Sequence, residues 1–435
     1  MSERNNTALK RVLSRFSGAR NRLRELTLFQ LGAFIWVTGS LLGYHIYRLG
    51  GRGLYRDHYS LPSMLPMGID FNAVYSFGVG LREGTSAYFQ AANCYPPFVT
   101  VALLPLTFFP PHLAYSLYVL VLMLALFAMT FACLKEGEEL LPANELFYAL
   151  IITALLFFSY PVNFAFERGN SDLVAGSFAA FSLFAMSRGW FFPSIIALTI
   201  STQFKVYPAV LIVLLSTRFG VRAAVYFFAL NAAALFILGM PAFLHFTSSL
   251  QTLTEAPSAW QGNHSLYAYV SRLAKKGFIF SDSQGLARKL SYLFFTGLFC
   301  AAWVKSWLST RKHFAAGGQK RGCHLSGSEI GLTGMSFTLM SLLPAVSYDY
   351  KLAIQVVPFL LLLSRPESQL FESHARARTV AALAAALMAL LLLPRDLVSV
   401  LKTPWLILLF ILYFYLAWTG KKTCPGKISA EKGEA

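Results

Sequence analysis

Residues 68–97 read GIDFNAVYSFGVGLREGTSAYFQAANCYPP, and long apolar runs lie on both sides of them. The segment carries Asp70, a carboxylate set among apolar neighbours, and it closes on Tyr95 and two prolines. A polar, glycine-rich interruption between membrane-length apolar runs predicts a loop at a membrane surface. The rest of the chain is then expected to hold this loop in place.

The composition supports a membrane protein. Hydrophobic residues make up 56% of the 435-residue chain and charged residues only 13%, whereas a soluble domain averages about 25% charged residues. Several apolar runs reach the roughly 20 residues that are needed to cross a bilayer. The sequence therefore predicts an all-α polytopic membrane protein with a single membrane domain.

The formal net charge of +17 is spread over short loops and tails between the apolar runs. This placement orients membrane helices through the positive-inside bias and brings cations to anionic lipid. No polar stretch is long enough to form a basic groove, so the sequence excludes nucleic acid as a partner.

The basic segment at 1–27 and the tail at 420–435 are both predicted to be cytoplasmic. The first carries seven Lys and Arg residues, which favours the inside. The apolar run at 28–47 is too long for the core of a signal peptide and is predicted to remain as the first span. That span delivers the segment 49–111, which has only three Lys and Arg residues, to the outside.

The transmembrane domain is predicted to extend from residue 28 to 419 with about 12 spans, within a range of 11–13. An even number keeps both termini on the cytoplasmic side, and the shorter runs are expected to tilt or break. After 28–47, the predicted spans are 112–134, 145–160, 172–187, 190–204, 206–217, 222–240, 287–304, 329–347, 350–364, 376–394 and 400–419.

Two outer segments need a separate interpretation. Residues 98–109 are apolar but short and end at two prolines, so a re-entrant or surface helix is predicted there. Five Lys and Arg residues between 241 and 291 depart from the positive-inside bias. Either a long loop is translocated regardless of its charge, or these cations form a basic rim for an anionic ligand.

Motifs of soluble enzymes are missing from the sequence. There is no P-loop, no dinucleotide-binding fingerprint, no H-E-x-x-H and no G-x-S-x-G, so a nucleotide-dependent pump is not supported. The five cysteines are scattered without a C-x-x-C pair, and this spacing supports no zinc, iron–sulfur or disulfide framework.

Polar side chains lie near the outer ends of several predicted spans. Each one alone is consistent with surface charge, but a set on one face predicts a site, because burying such groups unpaired is expensive. The set consists of Asp70, Glu83, Glu167, Arg168, Asn170, Asp172, Lys205, Asn263, His264, Arg272, Asp349, Tyr350 and Lys351.

Several members of this set have two interpretations. Asp70 is either a general base in apolar surroundings or the N-cap of a helix. Lys205 either extends toward lipid headgroups or places a point charge on a phosphate. Asn263 and His264 are suited to binding sugar hydroxyls, but they are equally suited to forming a loop turn.

Short polar, aromatic and glycine motifs are spaced along residues 69–272. They are Asp70-Phe71-x-x-Val74-Tyr75, Gly84 with Tyr88, Tyr95-Pro96-Pro97, Gly169-Asn170-Ser171-Asp172-Leu173, Arg188-Gly189, Lys205-Val206-Tyr207-Pro208, and Asn263-His264-Ser265-Leu266 with Arg272. In this order they resemble the polyprenyl-phosphate-mannose-dependent α-mannosyltransferases of the integral-membrane GT-C superfamily, glycosyltransferase family 87.

The resemblance implies a GT-C-like fold, a polyprenyl-phosphate sugar donor and an inverting transfer outside the cytoplasm. It also implies a catalytic carboxylate in the first outer loop, which corresponds to Asp70. Many GT-C enzymes have an acidic pair here, whereas Asn72 follows Asp70 in this chain, and the usual Gly-Gln is Gly169-Asn170. The sequence thus supports no divalent metal, and the donor sugar can differ from mannose.

The residues fit this chemistry on physical grounds. A polyprenyl phosphate leaves readily, so one carboxylate that takes the acceptor's proton suffices. Cations offset the charge that develops on the departing phosphate, and an apolar groove between spans would hold the isoprenoid tail. The residues predicted to bind the donor phosphate or sugar are Arg168, Lys205, Asn263, His264, Arg272, Lys351, Tyr75 and Tyr95.

The leading hypothesis is a membrane glycosyltransferase that moves a hexose, with mannose implied by the resemblance, to an outward-facing lipid or glycan acceptor. A transporter or flippase of lipid-linked sugars is the alternative, because short interrupted spans also occur in transporters. No inverted repeat is visible to support it, and the polar groups gather on one face. A scaffold subunit of an envelope assembly would be inactive alone.

Overall fold

A computed structural model describes residues 68–85, 94–136, 145–157, 159–255, 262–276, 285–316, 323–393 and 401–422. Within these ranges the chain is helical and contains no β-strand. One isolated antiparallel bridge joins Asn263 to Tyr348. The predicted first span at 28–47, the basic segment at 1–27 and most of the tail at 420–435 lie outside the described residues.

The described helices follow the apolar runs of the sequence. They are α1 (Ile69–Arg82), α2 (Pro97–Leu103), α3 (Pro111–Glu136), α4 (Glu145–Phe157), α5 (Tyr160–Arg168), α6 (Asp172–Ser187), α7 (Phe191–Phe204), α8 (Ile212–Phe219), α9 (Val221–Leu235), α10 (Gly239–Glu255), α11 (Leu266–Lys275), α12 (Gly285–Ala316), α13 (Gly327–Leu342), α14 (Val356–Leu363), α15 (Glu367–Leu370), α16 (His374–Leu391) and α17 (Lys402–Thr419). Three 3₁₀ helices precede other helices or turns, at Leu104–Phe108, Tyr207–Leu211 and Asp349–Gln355.

Several of these helices are too short to cross a bilayer alone. Among the described residues, α3, α16 and α17 are long and apolar enough to do so, and two bent helix pairs bring the number to five at most. One of these pairs, α9 with α10, is bent by 100°. The chain is therefore a membrane protein, but the predicted total of about 12 spans is not confirmed.

The segment that was predicted as a loop begins with a helix. α1 covers residues 69–82, so Asp70 lies in a first helical turn rather than in irregular chain. As predicted, the apolar part after Pro97 is short and helical, formed by α2 and the 3₁₀ helix that follows it. The prediction about cysteines was wrong at one position, because Cys323 is disulfide-bonded.

The core is centred on α13, in which every residue from Gly327 to Leu342 is buried. It packs against α17, the last described helix, while α6 packs between α3 and α7. The helices α3 and α6 extend between two polar regions. α6 has 16 residues, and at about 1.5 Å per residue it separates the regions by roughly 24 Å.

One of these regions is a buried ion-pair cluster at the end of α6 that carries Ser187. Glu136 accepts hydrogen bonds from Ser187, Arg365 and the Leu325 amide. Beside it, Arg218 holds Glu329 through a bidentate pair of bonds of 2.7 and 2.8 Å. The other region, at the Asp172 end of α6, contains most of the predicted site residues.

Candidate active site

The site begins where the start of α1 meets the end of α5. Gly68 precedes α1 with φ +78° and donates its amide hydrogen to the Glu167 carbonyl oxygen at 2.7 Å. Gly169 ends α5 with φ +62°, a left-handed conformation that favours glycine. A Cβ atom on Gly169 would lie 2.5 Å from the Phe71 Cβ atom. The two glycines thus allow the two helix ends to touch.

Asp70 is held at this junction by two side chains at the C-terminal end of α5 and just after it. Its Oδ1 accepts a hydrogen bond of 2.7 Å from Arg168, and its Oδ2 accepts one of 2.7 Å from Asn170. The cap position of α1 belongs to Gly68, without a side-chain bond, so the N-cap interpretation of Asp70 was wrong. The two bonds fix the carboxylate in one orientation, and the Asp70 side chain remains 14% exposed.

A second carboxylate lies at the first turn of α6. Asp172 accepts a hydrogen bond from the Tyr207 hydroxyl through Oδ1. Its Oδ2 is 3.9 Å from the Lys205 ammonium and makes no hydrogen bond. Lys205 also lies 4.7 Å from the centre of the Tyr95 ring, within the range of a cation–π contact.

Lys351 reaches the same place from the 3₁₀ helix at residues 349–355. Its ammonium group lies 4.6 Å from the centre of the Tyr207 ring and donates to the Val346 carbonyl oxygen at 3.0 Å. The neighbouring Tyr350 contacts Phe164 of α5 at 5.5 Å between ring centres. We call the residues gathered here the site cluster. Its members are Asp70, Tyr95, Arg168, Asn170, Asp172, Lys205, Tyr207, Tyr350 and Lys351.

Tyr95 brings a hydrogen-bond donor to the site cluster. Burial raises the pKa of its phenol well above the ordinary value, and the Asp70 carboxylate raises it further. The phenol therefore stays protonated at neutral pH. Together with Lys205 and Lys351, Tyr95 contributes to a cluster that combines carboxylates, cations and aromatic rings.

The structure places Asn263 and His264 away from any exposed surface. Both are fully buried. The Asn263 side chain accepts hydrogen bonds from the amides of Ser265 and Ser347 and donates to Ala345. The His264 imidazole lies 2.8 Å from Asp349. In this conformation both side chains organise the turn at 262–265, as the turn interpretation predicts.

Two other predicted donor-binding residues have contacts outside the cluster. Arg272 of α11 donates to the Asn263 carbonyl oxygen at 2.8 Å. The Tyr75 hydroxyl donates to the Phe109 carbonyl oxygen at 2.8 Å, while its ring packs 5.7 Å from that of Phe71. Of the eight predicted donor-binding residues, the structure gathers Arg168, Lys205, Lys351 and Tyr95 around the two carboxylates.

Sequence reasoning missed several members of the cluster. Asn170 and Asp172 were placed on the outer face without a role, and Tyr207 was named only within the motif Lys205-Val206-Tyr207-Pro208. The sequence signal for Asn170 and Asp172 was the motif around Gly169, which places both residues just after the C-terminal end of α5. Among the described residues no group of three or more His, Cys, Asp or Glu side chains is placed to hold a metal ion.

The fold and the site together define a membrane protein with a buried carboxylate and several cations at one end of its helices. A family model for glycosyltransferase family 87 matches residues 93–319, just over half of the chain. The chain therefore belongs to glycosyltransferase family 87 and is a glycosyltransferase. No curated protein matches it. Asp70 and Lys351 lie outside the matched segment, on either side of it.

Proposed function

We propose that the protein transfers a hexose, with mannose the leading candidate, from a polyprenyl-phosphate donor to a lipid or glycan acceptor. Asp70 is the general base that takes the proton of the attacking acceptor hydroxyl. The observation that carries the proposal is the arrangement of Asp70, oriented by Arg168 and Asn170, beside two buried or half-buried lysines.

The charges of the site cluster favour a donor with a single phosphate. In their ordinary ionised forms, Arg168, Lys205 and Lys351 supply three positive charges, and Asp70 and Asp172 supply two negative charges. The sum is one positive charge, which a sugar phosphodiester balances. A diphosphate donor, such as a nucleotide sugar, would leave an unbalanced negative charge in a partly buried site, and this is costly.

The proposed reaction uses this arrangement as follows. The acceptor oxygen attacks the anomeric carbon, the bond from that carbon to the phosphate oxygen breaks, and Asp70 receives the acceptor's proton. Lys205 and Lys351 stabilise the charge that develops on the departing phosphate. Attack from the side opposite the phosphate inverts the anomeric centre.

The positive-inside bias supports a location of this site on the extracytoplasmic side. The inside loops predicted from that bias include Arg188, Arg218 and Arg365. These residues lie at the end of α6 opposite to the site cluster. A GT-C-like fold, with both termini in the cytoplasm, fits this separation of the two ends.

The donor class is tested with purified protein in lipid vesicles that also contain a membrane lipid extract as acceptor. We expect labelled mannose to move from polyprenyl-phosphate-mannose into a new lipid or glycan product, and we expect no transfer from a labelled nucleotide sugar. Transfer from the nucleotide sugar would contradict the proposal. Passage of the intact lipid-linked sugar across the vesicle membrane, without a new product, would favour the flippase alternative.

A further inference from the structure

A second polar cluster lies behind the site cluster and is closed to solvent. It consists of His264, Asp349 and Lys402, whose side chains are all 0% exposed. Asp349 Oδ1 is 2.8 Å from His264 Nε2 and 2.7 Å from Lys402 Nζ. We call these three residues the buried triad. They come from the turn before α11, the 3₁₀ helix after α13 and the start of α17.

The buried triad fixes the segment that carries two members of the site cluster. Asp349 directly precedes Tyr350 and Lys351 in the chain. The backbone is held as well, since the His264 amide donates to the Ser347 carbonyl oxygen at 2.7 Å. From α17, the Thr403 hydroxyl donates to the His264 carbonyl oxygen at 3.2 Å. The position of Lys351 is thus tied to α17.

Lys402 also reaches the helix that ends beside Asp70. Its ammonium group lies 5.1 Å from the centre of the Tyr160 ring, at the first residue of α5. The same helix carries Phe164 against Tyr350 and ends at Arg168, the partner of Asp70. One buried group therefore contacts two of the elements that supply cations to the site.

The electrostatics favour a triad with no net charge. Burial lowers the pKa of His264 below its ordinary value, although Asp349 opposes this effect. Burial alone would raise the pKa of Asp349, but Lys402 and His264 lower it below its ordinary value. Asp349 and Lys402 thus form a charged pair beside a neutral imidazole. A buried ion pair adds little to stability compared with apolar residues of similar size, and orientation is an alternative role.

We propose that His264, Asp349 and Lys402 are positioning residues for the donor phosphate site. They hold Tyr350 and Lys351 directly and Arg168 through α5, in the geometry that binds the donor phosphate. The inference rests on the proposed function, because it assigns these cations to a lipid phosphate. It gives His264 a role behind the site instead of contact with the donor. It also makes the start of α17, beyond the segment matched by the family, part of the site's support.

The test measures binding of farnesyl phosphate, a short polyprenyl phosphate, to the purified full chain in detergent. The double variant Asp349→Asn with Lys402→Met removes both charges together, so that no buried charge is left unpaired. We expect its melting temperature to stay within a few degrees of the wild type. Its affinity should fall at least tenfold, the lower range for losing one charge-assisted contact to phosphate.

Lys351→Met supplies the reference for this loss. The combined variant carries Lys351→Met together with the two triad substitutions. If the buried triad acts through Lys351, its total loss of affinity is smaller than the product of the fold losses of Lys351→Met and of the double variant. Arg218→Met with Glu329→Gln is the matched control, because it removes a buried ion pair at the opposite end of the helices. That control should bind farnesyl phosphate with wild-type affinity.

The outcomes separate the two levels of the argument. A folded double variant that binds farnesyl phosphate as tightly as the wild type overturns the positioning role and leaves the proposed function standing. A wild-type protein that does not bind farnesyl phosphate overturns both. If the double variant does not fold, His264→Asn replaces it, since this change shortens one arm of the triad and keeps the ion pair. Unchanged affinity in that folded variant also overturns the positioning role.

Discussion

At the scale of single residues, the position of Asp70 depends on two glycines with positive φ. Gly68 lets α1 begin against the Tyr115 ring, where a Cβ atom would lie 2.7 Å from ring carbons. Gly169 ends α5 directly over Phe71, the residue after Asp70. The Tyr115 hydroxyl then donates to the Phe166 carbonyl oxygen at 2.7 Å at the end of α5. The close approach of α1 and α5 therefore places Asp70 beside Arg168 and Asn170, its hydrogen-bond donors.

Gly169→Ala tests this contact, with Gly84→Ala as its control. Both glycines have similar φ values, +62° and +65°, but a Cβ atom at Gly84 would meet nothing within 4 Å. Each change introduces left-handed strain of about 1–2 kcal/mol. Gly169→Ala adds a clash with Phe71, which we expect to cost about 1–3 kcal/mol more and to slow sugar transfer.

The measurements are thermal unfolding and transfer rate for both glycine variants. The contact between Gly169 and Phe71 is essential if Gly169→Ala unfolds at a lower temperature than Gly84→Ala and transfers the sugar more slowly. Equal unfolding temperatures and equal rates in the two variants would show that the approach of α1 to α5 does not need a glycine.

Sequence reasoning reached some site residues because their chemistry is visible locally. A carboxylate among apolar residues identified Asp70, and a lysine near the outer end of a predicted span identified Lys205. It assigned Asn263 and His264 to the donor because their side chains can bind sugar hydroxyls. The same side chains are equally suited to a loop turn. Burial decides between these roles, and burial depends on the packing of Asp349 and Lys402, which are distant in the chain.

At the scale of helices, α3, α6, α8 and α13 have polar ends that are paired in the interior. The capping box of α13 shows this clearly, because Ser326 and Glu329 exchange hydrogen bonds at its first turn. The same Glu329 carboxylate accepts both bonds from Arg218 at the end of α8. A helix start and a helix end are therefore joined through one side chain.

Glu329→Gln should destabilise the protein strongly. It leaves the Arg218 guanidinium, which is 5% exposed, without its carboxylate, and breaking a buried pair in this way costs about 3–5 kcal/mol. Glu372→Gln is the control, because that side chain is 87% exposed beside Lys421, and its loss should cost at most about 1 kcal/mol. Thermal unfolding of the two variants in detergent compares them. Equal melting temperatures would show that the Arg218–Glu329 pair does not stabilise the join.

The positions of the helices could be predicted well from the sequence, whereas their continuity could not. The runs at 172–187 and 376–394 gave α6 and α16 nearly to the residue. In contrast, the run at 350–364 is divided between a 3₁₀ helix and α14. The buried Asp349 and Lys351 anchor the start of that run to other helices, and hydropathy alone contains no signal for such contacts.

At the scale of the whole molecule, the helices separate two buried polar regions with different compositions. The ion-pair cluster joins loops at one end through paired charges, including Arg365 with Glu136. The site cluster at the other end retains an acceptor, Asp172 Oδ2, that makes no hydrogen bond. It also holds more cations than carboxylates. Paired charges suit a structural closure, and an excess of cations suits an anionic substrate.

The central claim is that Asp70 performs chemistry in a site whose cations bind a lipid phosphate. Asp70→Asn keeps the shape of the side chain and removes the base. Glu83→Gln is the matched control, since Glu83 follows the same helix and its side chain is 52% exposed beside Arg82.

The decisive measurement compares the two variants for mannose transfer from polyprenyl-phosphate-mannose and for affinity toward farnesyl phosphate. Asp70→Asn should lower the transfer rate by at least about 100-fold, the lower range for losing a general base, while the affinity falls by no more than about threefold. Glu83→Gln should change neither quantity. Transfer by Asp70→Asn at the wild-type rate would contradict the account.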